Sequence, residues 1–219
     1  MALSFSAIKD YEGCPRRYHE VKVLKHYPRQ ETEATIWGSK VHEAAEQYVR
    51  DGKPFEFEFP GQETVRTIAT MRGDKHCEFE MAVNDKLEPV PFMDPSAVIR
   101  GIADIVIVKG TKAFVGDYKA GSAKYPDVGQ LELMALLVFA HYPEVESSYG
   151  ALIFLAHDKL VEHITWREDK DDLWAKWLGK IHRIEEAHRT GVWNPRSSGL
   201  CPWCPVVSCE HWRPKPKGK

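Results

Sequence analysis

Asp104, Asp117 and Lys119 are the residues of this chain whose types and spacing most directly suggest chemistry. Two short runs, Gly101-Ile102-Ala103-Asp104 and Gly116-Asp117-Tyr118-Lys119, each deliver an acid, the second with a lysine two residues on. Side chains of a strand alternate with a period of two, so Asp117 and Lys119 share one face. If the two runs pair, two carboxylates and an ammonium stand where a sheet would otherwise bury apolar groups, which is expensive without compensation. A divalent cation, Mg²⁺ or Mn²⁺, is the natural compensator, and it polarises a phosphodiester and lowers the pKa of an attacking water. Taken alone, Asp-x-Lys is a common tripeptide that reads first as a same-face salt bridge, with Asp104 a surface residue at a strand end.

A second constellation lies near the chain ends. Cys201-Pro202-Trp203-Cys204 can chelate one metal, Cys209 follows, and Cys14 stands near the start. Closely spaced cysteines in a chain without a secretory leader read as metal ligands rather than disulfides. Gly199, Pro202 and Pro205 make the segment a turn-rich knuckle instead of a packed element. A site using Cys14, Cys201, Cys204 and Cys209 must bring the termini together. Zinc would accept three thiolates with His211 or Cys14 as the fourth ligand, whereas a 4Fe-4S cluster wants four thiolates. Cys77 reads as a small apolar filler.

The elements that must position these groups follow from periodicity and breakers. Ser4 and Ser6 can cap a first helix through Ile8 and Tyr11 toward Tyr18, interrupted at Cys14-Pro15. The spacing of Trp37, Val41, Ala44, Ala45 and Tyr48 predicts a helix from Thr35 to Asp51 stopped by Gly52. It carries His42, which on spacing alone reads as a core histidine. A weaker helix covers Glu63 to Met71, with loops around 52–61 and 86–95. Strands are predicted at Glu78–Val83, Val98–Val108 and Ala113–Lys119, the last two joined by the turn Lys109-Gly110-Thr111-Lys112. An apolar helix from Asp127 to His141 opens with Gln130, then a hairpin spans Tyr149–Ala156 and Leu160–Thr165. An amphipathic helix runs from Asp169 to Arg189.

Composition sets outer bounds. The chain has 219 residues and a formal net charge of −2, so attraction to nucleic acid must come from local patches or bridging metal ions. No apolar stretch reaches the roughly 18 residues that span a bilayer, and a cytoplasmic, membrane-free location is expected. No Gly-x-x-x-x-Gly-Lys-Ser/Thr occurs, so the chain supplies no motor. The oligomeric state is not legible.

Taken in order, Cys14-Pro15-Arg16-Arg17-Tyr18, Gly38-x-x-x-His42, Gly101-Ile102-Ala103-Asp104, Asp117-Tyr118-Lys119-Ala120-Gly121, Gln130 and the final three cysteines resemble the PD-(D/E)XK nuclease superfamily. Within it they resemble the RecB-like branch that includes the iron-sulfur exonucleases of CRISPR adaptation. The resemblance spans nearly the whole chain. It implies an α/β, restriction-endonuclease-like αβββαβ core (about 35–165) in a single nuclease domain. A cap from 1–34 and 166–212 would join both termini through a cysteine cluster, followed by a basic tail (213–219).

By the resemblance, His42, Asp104, Asp117 and the Tyr118 carbonyl would ligate Mg²⁺ or Mn²⁺. Lys119 would orient the water or stabilise developing charge, and Gln130 would help position the scissile strand. Glu80 stands where some relatives carry another acid, and Met134 where many carry a tyrosine, leaving Tyr125 or Tyr118 as substitute contacts. Cys14, Cys201, Cys204 and Cys209 would hold a 4Fe-4S cluster, with Zn²⁺ the alternative. Arg16, Arg17 and Tyr18 would contact DNA. The implied activity is a metal-dependent deoxyribonuclease, an exonuclease on ends or single strands, working with a helicase or single-strand annealing protein. The alternatives are an inactive nucleic-acid-binding module of the same fold and a zinc-knuckle adaptor.

Overall fold

The computed structural model describes residues 1–28 and 31–214. The chain forms two compact units, one of residues 1–2 and 31–175, the other of residues 3–30 and 176–219. The predicted basic tail lies outside the described residues from position 215 on.

The first unit is built on a six-stranded sheet of β1 (Asp74–Val83), β2 (Pro89–Val90), β3 (Ile99–Lys109), β4 (Lys112–Lys119), β5 (Ser147–Phe154) and β6 (Lys159–Trp166), in the order β2-β1-β3-β4-β5-β6. All neighbours are antiparallel except β4 and β5, which run parallel. The connection between these two is the helix α5 (Gly129–His141), as a parallel pair requires. The helices α3 (Glu33–Asp51) and α4 (Gln62–Thr70) precede the sheet. Disregarding α4 and the short β2, the order is helix, three strands, helix, two strands.

The helix α3 starts two residues before the predicted Thr35, because Thr32 and Thr35 form a reciprocal capping box, and Gly52 ends it with φ +69°. Val41 and Ala45 of α3 pack with Val65 and Ile68 of α4 on Ile105, Ile107, Phe114, Tyr118, Ala151 and Ile153. The alternate residues of β5, Leu152 and Phe154, pack instead with Leu131 of α5. The sheet is thus covered by α3 and α4 on one face and by α5 on the other. α5 is apolar all round rather than amphipathic, with Leu131 and every residue from Leu133 to Phe139 buried.

Strict alternation fails at one place. In the register of β1 with β3, Cys77 pairs with Ile105 and Phe79 with Ala103, which puts Glu78 across from Asp104. Cys77 and Ile105 belong to the α3–α4 cluster. Phe79 instead contacts the rings of His141 and Tyr142 at the end of α5, and a Cβ on Gly101 would meet Met134 and Leu137 of α5. Residues of equal parity therefore face opposite ways on either side of the Glu78–Asp104 position. Glu78 carries the left-handed backbone, φ +49°, that accommodates the switch.

The second unit comprises α1 (Phe5–Gly13), α2 (Pro15–Tyr18), a π-helical turn at His19–Val23, most of the long helix α6 (Lys170–Thr190) and a 3₁₀ turn at Cys201–Trp203. Ser4 caps α1 by accepting from Ala7 N–H. The single predicted helix breaks at Cys14, whose extended backbone (φ −165°) precedes Pro15 in the first turn of α2. Phe5 lies edge-on to Trp177 at 5.9 Å, Glu12 pairs with Lys180 at 3.0 Å, and Tyr11, Tyr18, His19 and His188 surround the Trp193 ring.

Candidate active site

The site forms where β3 and β4 part. Their pairing ends at Ile105 and Gly116, and the next free amide of β4, Tyr118 N–H, donates to Asp104 Oδ2 at 2.5 Å instead of to a β3 carbonyl. Beyond the fork β4 stays paired with β5 through Lys119 and Phe154. Asp104 and Asp117 thus sit on diverging strands, held on one side by α3 and on the other by α5.

From α3, His42 Nε2 approaches Asp104 Oδ2 at 3.0 Å, and its ring stands edge-on to Tyr118 at 5.6 Å. Gly38, one turn earlier, permits this: a Cβ there would lie 2.8 Å from the Ala120 Cβ just past β4, so only glycine lets the helix come this close. From α5, Gln130 Nε2 donates to Asp117 Oδ1 while its Oε1 accepts from Lys119 Nζ at 2.8 Å. Lys119 Nζ also lies 2.6 Å from Asp117 Oδ2. That oxygen is buried and, apart from this ion pair, has no hydrogen-bond donor.

The electrostatics are those of a site crowded with negative charge. Burial, and then the Asp104 charge, push Asp117 up to about 6 despite the nearby Lys119 ammonium. The hydrogen bond to Asp104 holds the His42 imidazole above its ordinary pKa against the opposing effect of burial. Burial and Asp104 likewise raise Glu78.

Among the described residues, His42, Glu78 and Asp104 form one set whose ligand atoms all lie within 4.8 Å of one another. An imidazole and carboxylates converging beside a buried, under-donated Asp117 oxygen are a donor set that a divalent cation fits.

The acid that joins His42 and Asp104 is Glu78, with Oε1 3.8 Å from His42 Nε2, and not Glu80. Glu80 pairs with Ile102 two positions along β1 and is exposed. Regular alternation puts both glutamates on one face, so nothing in the sequence separates them. The positive φ at Glu78 does so in the fold.

Met134 is buried against Gly101, which accounts for an apolar residue at that position of α5. Tyr125 stands in the loop before α5, 83% exposed.

In the second unit, Cys14, Cys201, Cys204 and Cys209 line one cavity of about 280 Å³, together with His211 and Trp203. Backbone amides donate to two of the sulfurs, Arg196 N–H to Cys14 Sγ at 3.4 Å and Ser198 N–H to Cys201 Sγ at 3.3 Å.

In the neighbouring Arg16-Arg17-Tyr18 run both guanidiniums are held in ion pairs. Arg16 pairs with Glu210 at 2.8 Å and Arg17 with Asp10 at 3.0 Å. Tyr18 corrects the expectation of a base-contacting ring: it is 4% exposed and packed against Tyr11 and Trp193.

No curated protein matches the chain. A candidate exonuclease from Eubacterium rectale has a similar fold, with a TM-score of 0.54 at 14% identity over 99% of this chain and 91% of that one. The protein SSO0001 aligns with a TM-score of 0.48 at 18% identity, over 95% of this chain and 85% of the other. The sequence model of one family covers residues 2–209, which takes in the α3 histidine, both strand acids, the lysine, Gln130 and all four clustered cysteines. The chain belongs to the PD-(D/E)XK nuclease superfamily.

Proposed function

We propose that this metal-dependent nuclease acts on DNA, as an exonuclease on ends or single strands in recombination, repair or phage DNA metabolism. The observation that carries the reading is the Gln130 bridge, which ties Asp117 and Lys119 into one rigid unit beside the His42–Asp104 pair. A structural salt bridge would need no glutamine to orient it.

In this reading His42, Asp104, Asp117 and the Tyr118 carbonyl hold Mg²⁺ or Mn²⁺. When bound, the cation supplies Lewis-acid polarisation of the phosphodiester and a water of lowered pKa. Lys119, two-thirds buried and fixed by Gln130, carries a positive charge to where the attacking water and the developing phosphate charge meet. Tyr118 N–H and His42 fix the rotamer of Asp104, so its carboxylate is oriented before substrate arrives.

The four cysteines would hold a 4Fe-4S cluster with a structural role. Four thiolates around one cavity are the ligand count that such a cluster takes. Iron and acid-labile sulfide analysis of anaerobically purified protein distinguishes the cluster from zinc.

The decisive experiment incubates that protein with end-labelled single- and double-stranded DNA in Mg²⁺, Mn²⁺ or EDTA, beside Lys119→Ala. Metal-dependent loss of DNA that the folded variant cannot produce supports the reading, and the labelled products give the polarity. Equal cleavage by the variant would sink it. A folded, cluster-loaded protein without cleavage would favour the nucleic-acid-binding module.

A further inference from the structure

Glu78 has no role in the chemistry described so far, yet its geometry is costly to maintain. It sits in the middle of β1 with φ +49°, a left-handed conformation that a non-glycine residue rarely adopts and that a strand does not require. The residues on either side show what this conformation does. Cys77 faces the α3–α4 cluster and Phe79 faces α5, so the chain changes faces across position 78 and leaves the Glu78 side chain beside Asp104.

The carboxylate arrives with Oε1 3.8 Å from His42 Nε2, whose other neighbour is Asp104 Oδ2 at 3.0 Å. All three ligand atoms fall within 4.8 Å of one another. The charges around the group are Asp104 and Glu46, set against His42 and Arg50. Asp117 adds a further, buried carboxylate beside Asp104, its Oδ2 paired with Lys119 Nζ at 2.6 Å. The Glu78 side chain is 40% exposed, so the place where the three ligand atoms converge is open to solvent and to a substrate.

We propose that Glu78 is a ligand of the catalytic cation, completing a His42–Glu78–Asp104 set, and that the left-handed backbone at position 78 serves to deliver it. The proposal rests on the metal-dependent reading above and assigns to that site a ligand from a strand that the Asp-x-Lys motif does not include.

The test is Mn²⁺ binding followed by the loss of the free-ion EPR signal, in wild type, Glu78→Gln, Glu78→Asp, Glu78→Gly, Glu80→Gln and Asp104→Asn, with thermal melting of each metal-free protein. Removal of a true ligand weakens Mn²⁺ binding by at least about 10-fold. Glu78→Gln and Glu78→Gly are expected to show this loss. Glu78→Asp, which keeps the charge but falls a methylene short, is expected to show most of it, and Glu80→Gln none. Glu78→Gly should also melt higher than wild type, because glycine adopts φ +49° without strain.

Wild-type affinity in Glu78→Gln, with weakened binding in Asp104→Asn, would overturn the role of Glu78 and leave the nuclease reading standing. Full affinity in Glu78→Asp would reduce Glu78 to a source of charge and likewise overturn ligation. If the folded wild type binds no Mn²⁺, both the proposal and the metal-dependent reading fall.

Discussion

His42 Nε2 and Asp104 Oδ2 lie 3.0 Å apart although one residue belongs to a helix packed on the sheet and the other to a strand within it. Their contact depends on the fork between β3 and β4, which frees Asp104 from the sheet, and on the absence of a side chain at Gly38, which lets α3 descend to the end of β4. The catalytic geometry is therefore tied to backbone features that themselves carry no functional group.

Gly38→Ala tests that dependence. The new methyl would meet the Ala120 Cβ at 2.8 Å, and neither atom belongs to a flexible side chain, so α3 must shift. Overpacking of this kind costs about 1–3 kcal/mol. A displacement of an ångström at His42 is expected to lower cleavage by about 100-fold. Denaturant melts and single-turnover cleavage measured together check it; full activity in the destabilised protein would show that the approach of α3 is not catalytically tuned.

Gln130→Leu removes both hydrogen bonds that organise Asp117 and Lys119 while keeping the bulk of the side chain. Cleavage is expected to fall about 10–100-fold, the range typical of groups that orient metal ligands. The KM for DNA should change little if Gln130 acts through Asp117 and Lys119. A rise in KM at unchanged kcat would instead assign it to direct contact with the nucleic acid.

Asp117→Asn is expected to separate stability from activity. Burial and Asp104 raise the Asp117 pKa to about 6, above its ordinary 3.8, so the ionised form destabilises the metal-free fold at neutral pH. This penalty is fully present above pH 6 and is relieved as the pH falls through 6 toward the unfolded value. The raised His42 pKa acts in the same direction, since protonated His42 favours the folded state. Metal-free wild type should therefore melt higher at pH 5.5 than at pH 7.5, and Mg²⁺ or Mn²⁺ should flatten that slope. The asparagine variant should gain on the order of 1–3 kcal/mol at pH 7 without metal and lose cleavage. A variant less stable than wild type under those conditions would contradict the account.

Cys204→Ser probes the second unit, where four cysteines line one cavity. Iron, acid-labile sulfide and solubility are expected to fall together, because the segment that carries Cys201, Cys204 and Cys209 contains only one short 3₁₀ turn. Metal analysis and analytical gel filtration read the outcome. A monodisperse, colourless and active variant would make the cluster dispensable.

Much of this protein is determined by local sequence. Asp117 and Lys119 share a face because strands alternate, α3 is bounded by Thr32 and Gly52 through capping, and Cys14 sits between two helices because Pro15 cannot continue the first. The order helix, three strands, helix, two strands follows from such short-range rules, as does the apolar character of α5. The tertiary structure decided what depends on packing between distant segments. It selected Glu78 over Glu80 by breaking alternation at a left-handed residue, and buried Tyr18 under Trp193, from the far end of the chain. It aimed Gln130 at Asp117 and Lys119 rather than outward, and gathered Cys14 with cysteines nearly two hundred positions away. Propensity and periodicity report the backbone within a few residues; where a strand bends and which side chain fills the resulting gap are settled only when the layers pack.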